Sequence, residues 1–176
     1  PGIPPVLVHC DGSQAVGKVK TSVRDLGVDY YTIAGHKFYG PKGVGALYIR
    51  TGSPPLRKFM YGGGHESGLR AGTENTLLIV GLGEACELVA STTQRSGPRM
   101  AALRNKLQSL LLQKAPTARV NGPPAPDALY GNETRLPNTL SISFKGTMAP
   151  SLMKKVEHRL ACSAGSACHA TEEGQE

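Results

Sequence analysis

Apolar residues fall into short blocks with two spacings, and the change of spacing divides the chain. Val6-Leu7-Val8-His9 is a β-rich run that stops at Cys10-Asp11-Gly12. It predicts a buried strand that delivers Asp11 at its C-terminal end. Residues 13–20 predict a turn, and Asp25-Leu26-Gly27 a further short connection. Residues 29–34 predict a second strand, which ends in Gly35-His36-Lys37 and a Gly/Pro-rich turn through Gly43. Residues 45–50 predict a third strand, broken by Thr51-Gly52-Ser53-Pro54-Pro55.

Helical spacing follows. Thr73-Glu74-Asn75 reads as a helix start, with an apolar helical pattern from Leu77 to Val89. A second helix is expected from Arg99 to Leu112, with Met100, Leu103, Leu107 and Leu110 on one face. The polar stretch 91–98 between them is the expected domain boundary, giving parts 1–90 and 91–176. Residues 115–137 read as loop, with at most a short strand at Ala118-Arg119-Val120. Residues 138–144 alternate polar and apolar, the mark of a half-buried strand, and 151–158 predict a short helix. The order of elements predicts an α/β protein.

Composition narrows the function. The net charge of +7 suits an anionic partner, but the basic residues are scattered, and three Phe, six Tyr and no Trp offer little for base stacking. Nucleic acid is therefore not the expected partner; a phosphate-bearing cofactor needs only a few of these charges. No uninterrupted apolar run approaches the roughly 18 residues of a membrane span. No signal peptide is visible at the start of the chain, and an intracellular setting is expected. Cys10, Cys86, Cys162 and Cys168 form no CxxC pair, so free thiols are expected in place of a disulfide framework. Cys162, Cys168 and His169 match no zinc spacing, and no metal is expected.

Lys37 is the residue with the clearest chemistry. An amine at the end of a buried strand sits where open α/β sheets place functional groups. Desolvation there disfavours the charged form, and an uncharged amine forms Schiff bases. Asp11 and Gln14 stand near the end of the first strand, His36 beside Lys37, Thr73 after the glycine-dense loop 61–68, and Cys168 in a run of small residues. Singly, each also reads as a turn residue, a surface group, a helix cap or an inert thiol. Together they suit pyridoxal phosphate, which needs a lysine, a carboxylate beside its pyridine nitrogen and donors for its phosphate.

Segments 9–18, 35–45, 62–66, 70–75 and 163–169 resemble, in order, the motifs of the cysteine desulfurases and selenocysteine lyases. These are class V, fold-type I pyridoxal-phosphate enzymes. The resemblance implies part of the fold-type I large domain in 1–90, a mixed, mostly parallel sheet with helices. It implies a linking helix and a partial small α+β domain in 91–176. It implies that Lys37 forms the Schiff base, Asp11 pairs with the ring nitrogen and Gln14 bonds the phenolic oxygen. His36 would hold the phosphate, and Thr73 would reach the phosphate of a neighbouring subunit in a homodimer. Cys168 would meet the sulfur or selenium of L-cysteine or L-selenocysteine, alanine would leave, and an acceptor protein could take the chalcogen. The Cys168-His169 pair leans toward the selenocysteine-lyase branch.

Three departures stand against the family pattern. Ala34 replaces a phosphate-contacting serine, and no arginine follows Cys168 to bind a substrate carboxylate. The N-terminal stretch that carries a ring-stacking histidine and an asparagine in relatives does not precede Pro1, so the chain reads as the middle and late portion of such an enzyme. The alternative expectation is a non-catalytic relative serving as a dimerisation or partner-binding module.

Overall fold

A computed structural model describes residues 6–122 and 135–165. Three strands form one sheet in the order β1 (His9–Asp11), β2 (Tyr30–Ala34), β3 (Gly45–Ile49). β1 pairs with β2 in parallel, His9 opposite Tyr30 and Asp11 opposite Thr32. β3 pairs with β2 antiparallel, Ala34 opposite Gly45. The one-turn helix α1 (Val23–Leu26) lies between β1 and β2, capped by Ser22.

Burial follows position in the sheet. The central strand buries Tyr30 and Tyr31, whereas β1 and most of β3 are exposed. The expectation of a buried first strand therefore fails. Val6, Leu7 and Val8 are exposed, and pairing begins at His9. Among the described residues β1 has a neighbour on one side only, and apolar composition does not distinguish edge from centre. Asp29 ties the strand entrances together. Its Oδ2 accepts from Val8 N at 2.9 Å, and its Oδ1 lies 3.6 Å from Arg50 Nη1 and accepts from Ser53 Oγ at 3.3 Å.

One helix, α2 (Thr76–Lys114), replaces the two expected. The hydroxyls of the polar stretch fold back onto the helix itself. Ser91 and Thr92 donate to Leu88 O at 2.9 and 2.7 Å, and Thr93 donates to Val89 O. Polar side chains satisfied in this way need no loop, and the helix continues through Pro98. The helix starts later than Thr73 because Asn75 is its cap, accepting from Leu78 N at 3.2 Å. Its buried stripe is Ala85, Val89, Gly97, Ala101 and Arg104. The face expected to be buried is open: Leu103, Leu107 and Leu110 are all exposed. By length and mean hydropathy α2 also reaches the size of a membrane span. Its apolar half carries Glu84 and Glu87, and an acidic side chain at the centre of a bilayer costs about 3 kcal/mol.

The core cluster is Phe38, Ala85 and Val89, with Val16, Ile33 and Leu82 packed against it. Two compact units can be distinguished, one from Pro1–Asn105 and Pro123–Thr139, the other from Lys106–Gly122 and Leu140–Glu176. The second contains the ladder of β4 (Arg119–Val120) with β5 (Ile142–Ser143), and α3 (Ala149–Val156). The short strand at 119–120 lies where the sequence pattern puts it and the helix begins two residues early, whereas the strand expected over 138–144 forms only at Ile142–Ser143.

Candidate functional site

The chain leaves β1 and β2, a parallel pair, at the same end of the sheet. Asp11 is the last residue of β1, and Lys37 closes the single 3-10 turn (Gly35–Lys37) that follows β2. The functional groups of open α/β sheets collect outside such strand ends.

The turn after β1 is tightly specified. Gly12 N donates to Thr32 O at 3.0 Å, which docks the turn on β2. A side chain at Gly12 would overlap the buried ring of Tyr31. Asp11 Oδ1 accepts from the backbone N of Ser13 at 2.9 Å and from its hydroxyl. These bonds stabilise the charged form of the carboxylate. The Ser13 hydroxyl, then the Ser13 N–H, hold Asp11 below its ordinary carboxylate value; slight burial opposes this and His9 reinforces it. Both bonds use Oδ1; among the described residues none uses Oδ2.

Gln14 and Lys18 lie on the same turn. Ala15 N and Val16 N donate to Gly12 O, and Lys18 N and Val19 N to Ala15 O. Gly17 has φ of +77°, and a Cβ there would come within 2.9 Å of Val89 and 3.0 Å of Phe38. Glycine at 17 thus lets the turn lie against both α2 and the residue that follows Lys37. The Lys18 ammonium donates to Gln14 O at 3.0 Å and Gln14 Oε1 at 3.1 Å.

The lysine turn closes on itself. Phe38 N and Gly40 N both donate to Gly35 O, at 3.1 and 2.9 Å, and Tyr39 takes a φ of 75°. Phe38 is 2% exposed in the core cluster, so Lys37 is attached to an anchored neighbour. Lys37 itself is exposed, as are Asp11, Gln14, His36 and Thr73. The burial expected of the Lys37 amine is therefore absent, because the turn carries it past the end of the sheet. The amine that burial does affect is Lys18. Desolvation first, and the positive charge of Lys37 second, lower its pKa from the ordinary lysine value.

Asp11, Gln14, His36 and Lys37 thus share one end of the parallel pair. Thr73 lies further along the chain, between Arg70, which bridges to Met60, and the cap Asn75. Among the described residues no hydrogen bond or ion pair joins it to the other four. Cys168 and His169 lie outside the described residues. Ser13 and Lys18 join the site only through the folded turn; in the sequence they show as an Asp-x-Ser turn and a Gln-to-Lys spacing of four residues.

A carboxylate and an amine at neighbouring parallel strand ends, on a mixed sheet packed against a helix, define an α/β protein of the kind that builds its site at the carboxyl ends of strands. Residues 5–173 match the model of the class-V aminotransferases, and the chain belongs to that family. Selenocysteine lyase of Homo sapiens is 41% identical over 172 residues, 96% of this chain and 38% of that protein. A cysteine desulfurase of Sinorhizobium fredii is 40% identical over 163 residues, 92% of this chain and 40% of that protein. A NifS-like protein from Rickettsia africae has a solved structure that matches with a TM-score of 0.74 at 30% identity, over 90% of this chain and 41% of the other. The fold is thus part of the fold-type I architecture expected from the sequence. The chain spans about two fifths of the length of these relatives. The family generally works with pyridoxal phosphate.

Proposed function

We propose that this chain carries the cofactor-anchoring part of a pyridoxal-phosphate-dependent lyase. That enzyme breaks the carbon–selenium or carbon–sulfur bond of L-selenocysteine or L-cysteine, releases alanine and passes the chalcogen on. The observation that carries the reading is that Lys37 follows β2 and Asp11 ends β1 at the same end of the parallel pair, with Ser13 stabilising the charged form of Asp11. The names of the relatives supply the two substrates.

The donor set fits the cofactor. One ionised carboxylate, one amide and one primary amine stand at one sheet end, and these are what a pyridine nitrogen, a ring oxygen and an aldehyde require. Pyridoxal phosphate, when bound, supplies an electron sink that stabilises negative charge at the substrate Cα. Asp11 would keep the ring nitrogen protonated, through the carboxylate oxygen that Ser13 leaves open. Gln14 would bond the ring oxygen. His36 and Thr73 would hold the phosphate, Thr73 from the neighbouring subunit of a homodimer. Lys37 Nζ would anchor the cofactor and would take the proton from the substrate Cα. The Cys168 thiolate would attack the sulfur of cysteine, forming the S–S bond of a persulfide as the substrate C–S bond breaks and its electron pair stays with the carbon that becomes alanine, or would assist release of selenium; an acceptor protein would then take the chalcogen. Residues 1–90 belong to the cofactor domain and 91–176 to the linking helix and small domain, and the setting is intracellular.

The test uses the full chain with added pyridoxal phosphate. A visible absorption band, abolished in Lys37→Ala, and alanine release from either amino acid are expected. Loss of cysteine turnover with retained selenocysteine turnover in Cys168→Ala would separate the two roles of that thiol. A colourless protein after cofactor addition sinks the reading.

A further inference from the structure

We infer that Lys18 is a positioning residue of the cofactor site: by binding two oxygens of Gln14, it turns the Gln14 amide nitrogen outward as a donor to the anionic ring oxygen of pyridoxal phosphate. The inference rests on the function proposed above and deepens it.

The two ends of a glutamine amide have nearly the same shape and opposite hydrogen-bonding character. An ammonium group has only donors to offer. The amide atom that faces Lys18 Nζ at 3.1 Å is therefore the oxygen, and the same ammonium grips the main-chain oxygen of Gln14 at 3.0 Å. Two bonds from one nitrogen to one residue fix the side chain as well as its backbone. The remaining end, Nε2, donates to no acceptor among the described residues. A ring oxygen that carries negative charge only accepts, so it needs that nitrogen. A flipped amide would present its oxygen and repel the anion.

The surroundings make the clamp stiff. The turn that carries both residues is pinned at Gly17 between Val89 of α2 and Phe38. Phe38 follows Lys37, so the clamp is built on the same anchored stretch as the candidate Schiff-base lysine. The charge of Lys37 is felt at Lys18, which is half-buried.

Binding of pyridoxal phosphate to the full chain, followed by titrating the visible band, tests this without relying on turnover. Lys18→Met keeps most of the length of the side chain and removes the donors. It should weaken binding about tenfold to a hundredfold, the scale of one hydrogen bond to a charged group. Gln14→Met should weaken it by a similar factor. The double variant should be no weaker than Gln14→Met alone, because both substitutions remove the same contact. Lys18→Arg retains donors and should bind within about threefold of the unsubstituted chain, on the same one-bond scale. Wild-type affinity in Lys18→Met, or losses that multiply in the double variant, would overturn the inference while leaving the proposed function standing. Absence of the band in the unsubstituted chain would remove both.

Discussion

The two compact units of this chain are stabilised by different means. The first holds every buried side chain of the described residues, from Val28 and Tyr31 through Phe38, Ala85 and Val89 to Arg104, whose Nη1 donates to Leu136 O at 2.8 Å. The second, in its described residues, has none. Its ladder pairs two residues with two, and Asn121 Nδ2 adds bonds to Ser141 Oγ and Ser143 Oγ at 3.1 and 2.9 Å. A two-stranded ladder without a buried face is marginal in water. The turns that bear Asp11 and Lys37 therefore belong to the unit with a core, where geometry can be held. The first unit is not fully covered either. Leu77 and Tyr39 are 86% and 75% exposed and line one groove, and contiguous apolar exposure of this kind marks an interaction surface or an aggregation hazard.

Hydrogen exchange probes this contrast most directly, and the largest effect is expected there. Opening free energies range from near zero in loosely packed elements to the global value in cores. Amides of β2 should be protected at least about a hundredfold more than those of β4 and β5, which corresponds to roughly 3 kcal/mol of opening free energy. Equal protection would show that the two units open as one, and the comparison would fail.

Glycine substitutions sharpen it. A Cβ at Gly12 would overlap the ring of Tyr31, which is 2% exposed and held beneath the turn. Gly12→Ala should cost about 1–3 kcal/mol, the range for overpacking a close-packed site, and should lower the main urea midpoint. Gly146 has φ of 72° and nothing within 4 Å of an added Cβ. Gly146→Ala should cost about 1 kcal/mol of backbone strain, felt only in exchange near β5. A shift of the main midpoint by Gly146→Ala would contradict the division.

What the sequence made legible follows the same line. β2 and the Lys37 turn could be read because an apolar run ends abruptly in Gly35-His36-Lys37, and both boundaries are local signals. The single helix α2 could not. Ser91, Thr92 and Thr93 look like a linker, and only the helical geometry shows their hydroxyls spent on Leu88 and Val89 carbonyls. Which face of α2 is buried was equally hidden. The buried stripe runs through Ala85, Val89, Gly97, Ala101 and Arg104, and Leu103, Leu107 and Leu110 lie elsewhere. Thr73 and Asn75 both make good caps, and the hydrogen bond to Leu78 N decides for Asn75. Asp11, Gln14 and Lys37 were found as chemistry-bearing types at strand ends. Ser13 and Lys18 act through them, and that role appears only when the turn is folded.

The smallest expected effect concerns Asp11 and tests whether the first unit's turn is electrostatically set. Its pKa is depressed in the folded chain, chiefly by the Ser13 hydroxyl and then by the Ser13 N–H. A carboxyl group with a depressed folded pKa contributes stability above its unfolded pKa and loses it as pH falls through the folded value. The window for Asp11 therefore opens near the ordinary carboxylate value of about 4 and extends downward. Ser13→Ala removes the larger cause and leaves the N–H bond, so the folded pKa moves up toward the unfolded one. The variant should lose a little stability at neutral pH. It should also lose less on acidification, so that the two melting curves converge below about pH 4. Asp11 is exposed and solvent screens it, which keeps the difference small. Curves for Ser13→Ala that stay parallel to the unsubstituted chain from pH 7 to pH 3 would show that the hydroxyl shapes the turn without setting the charge of Asp11.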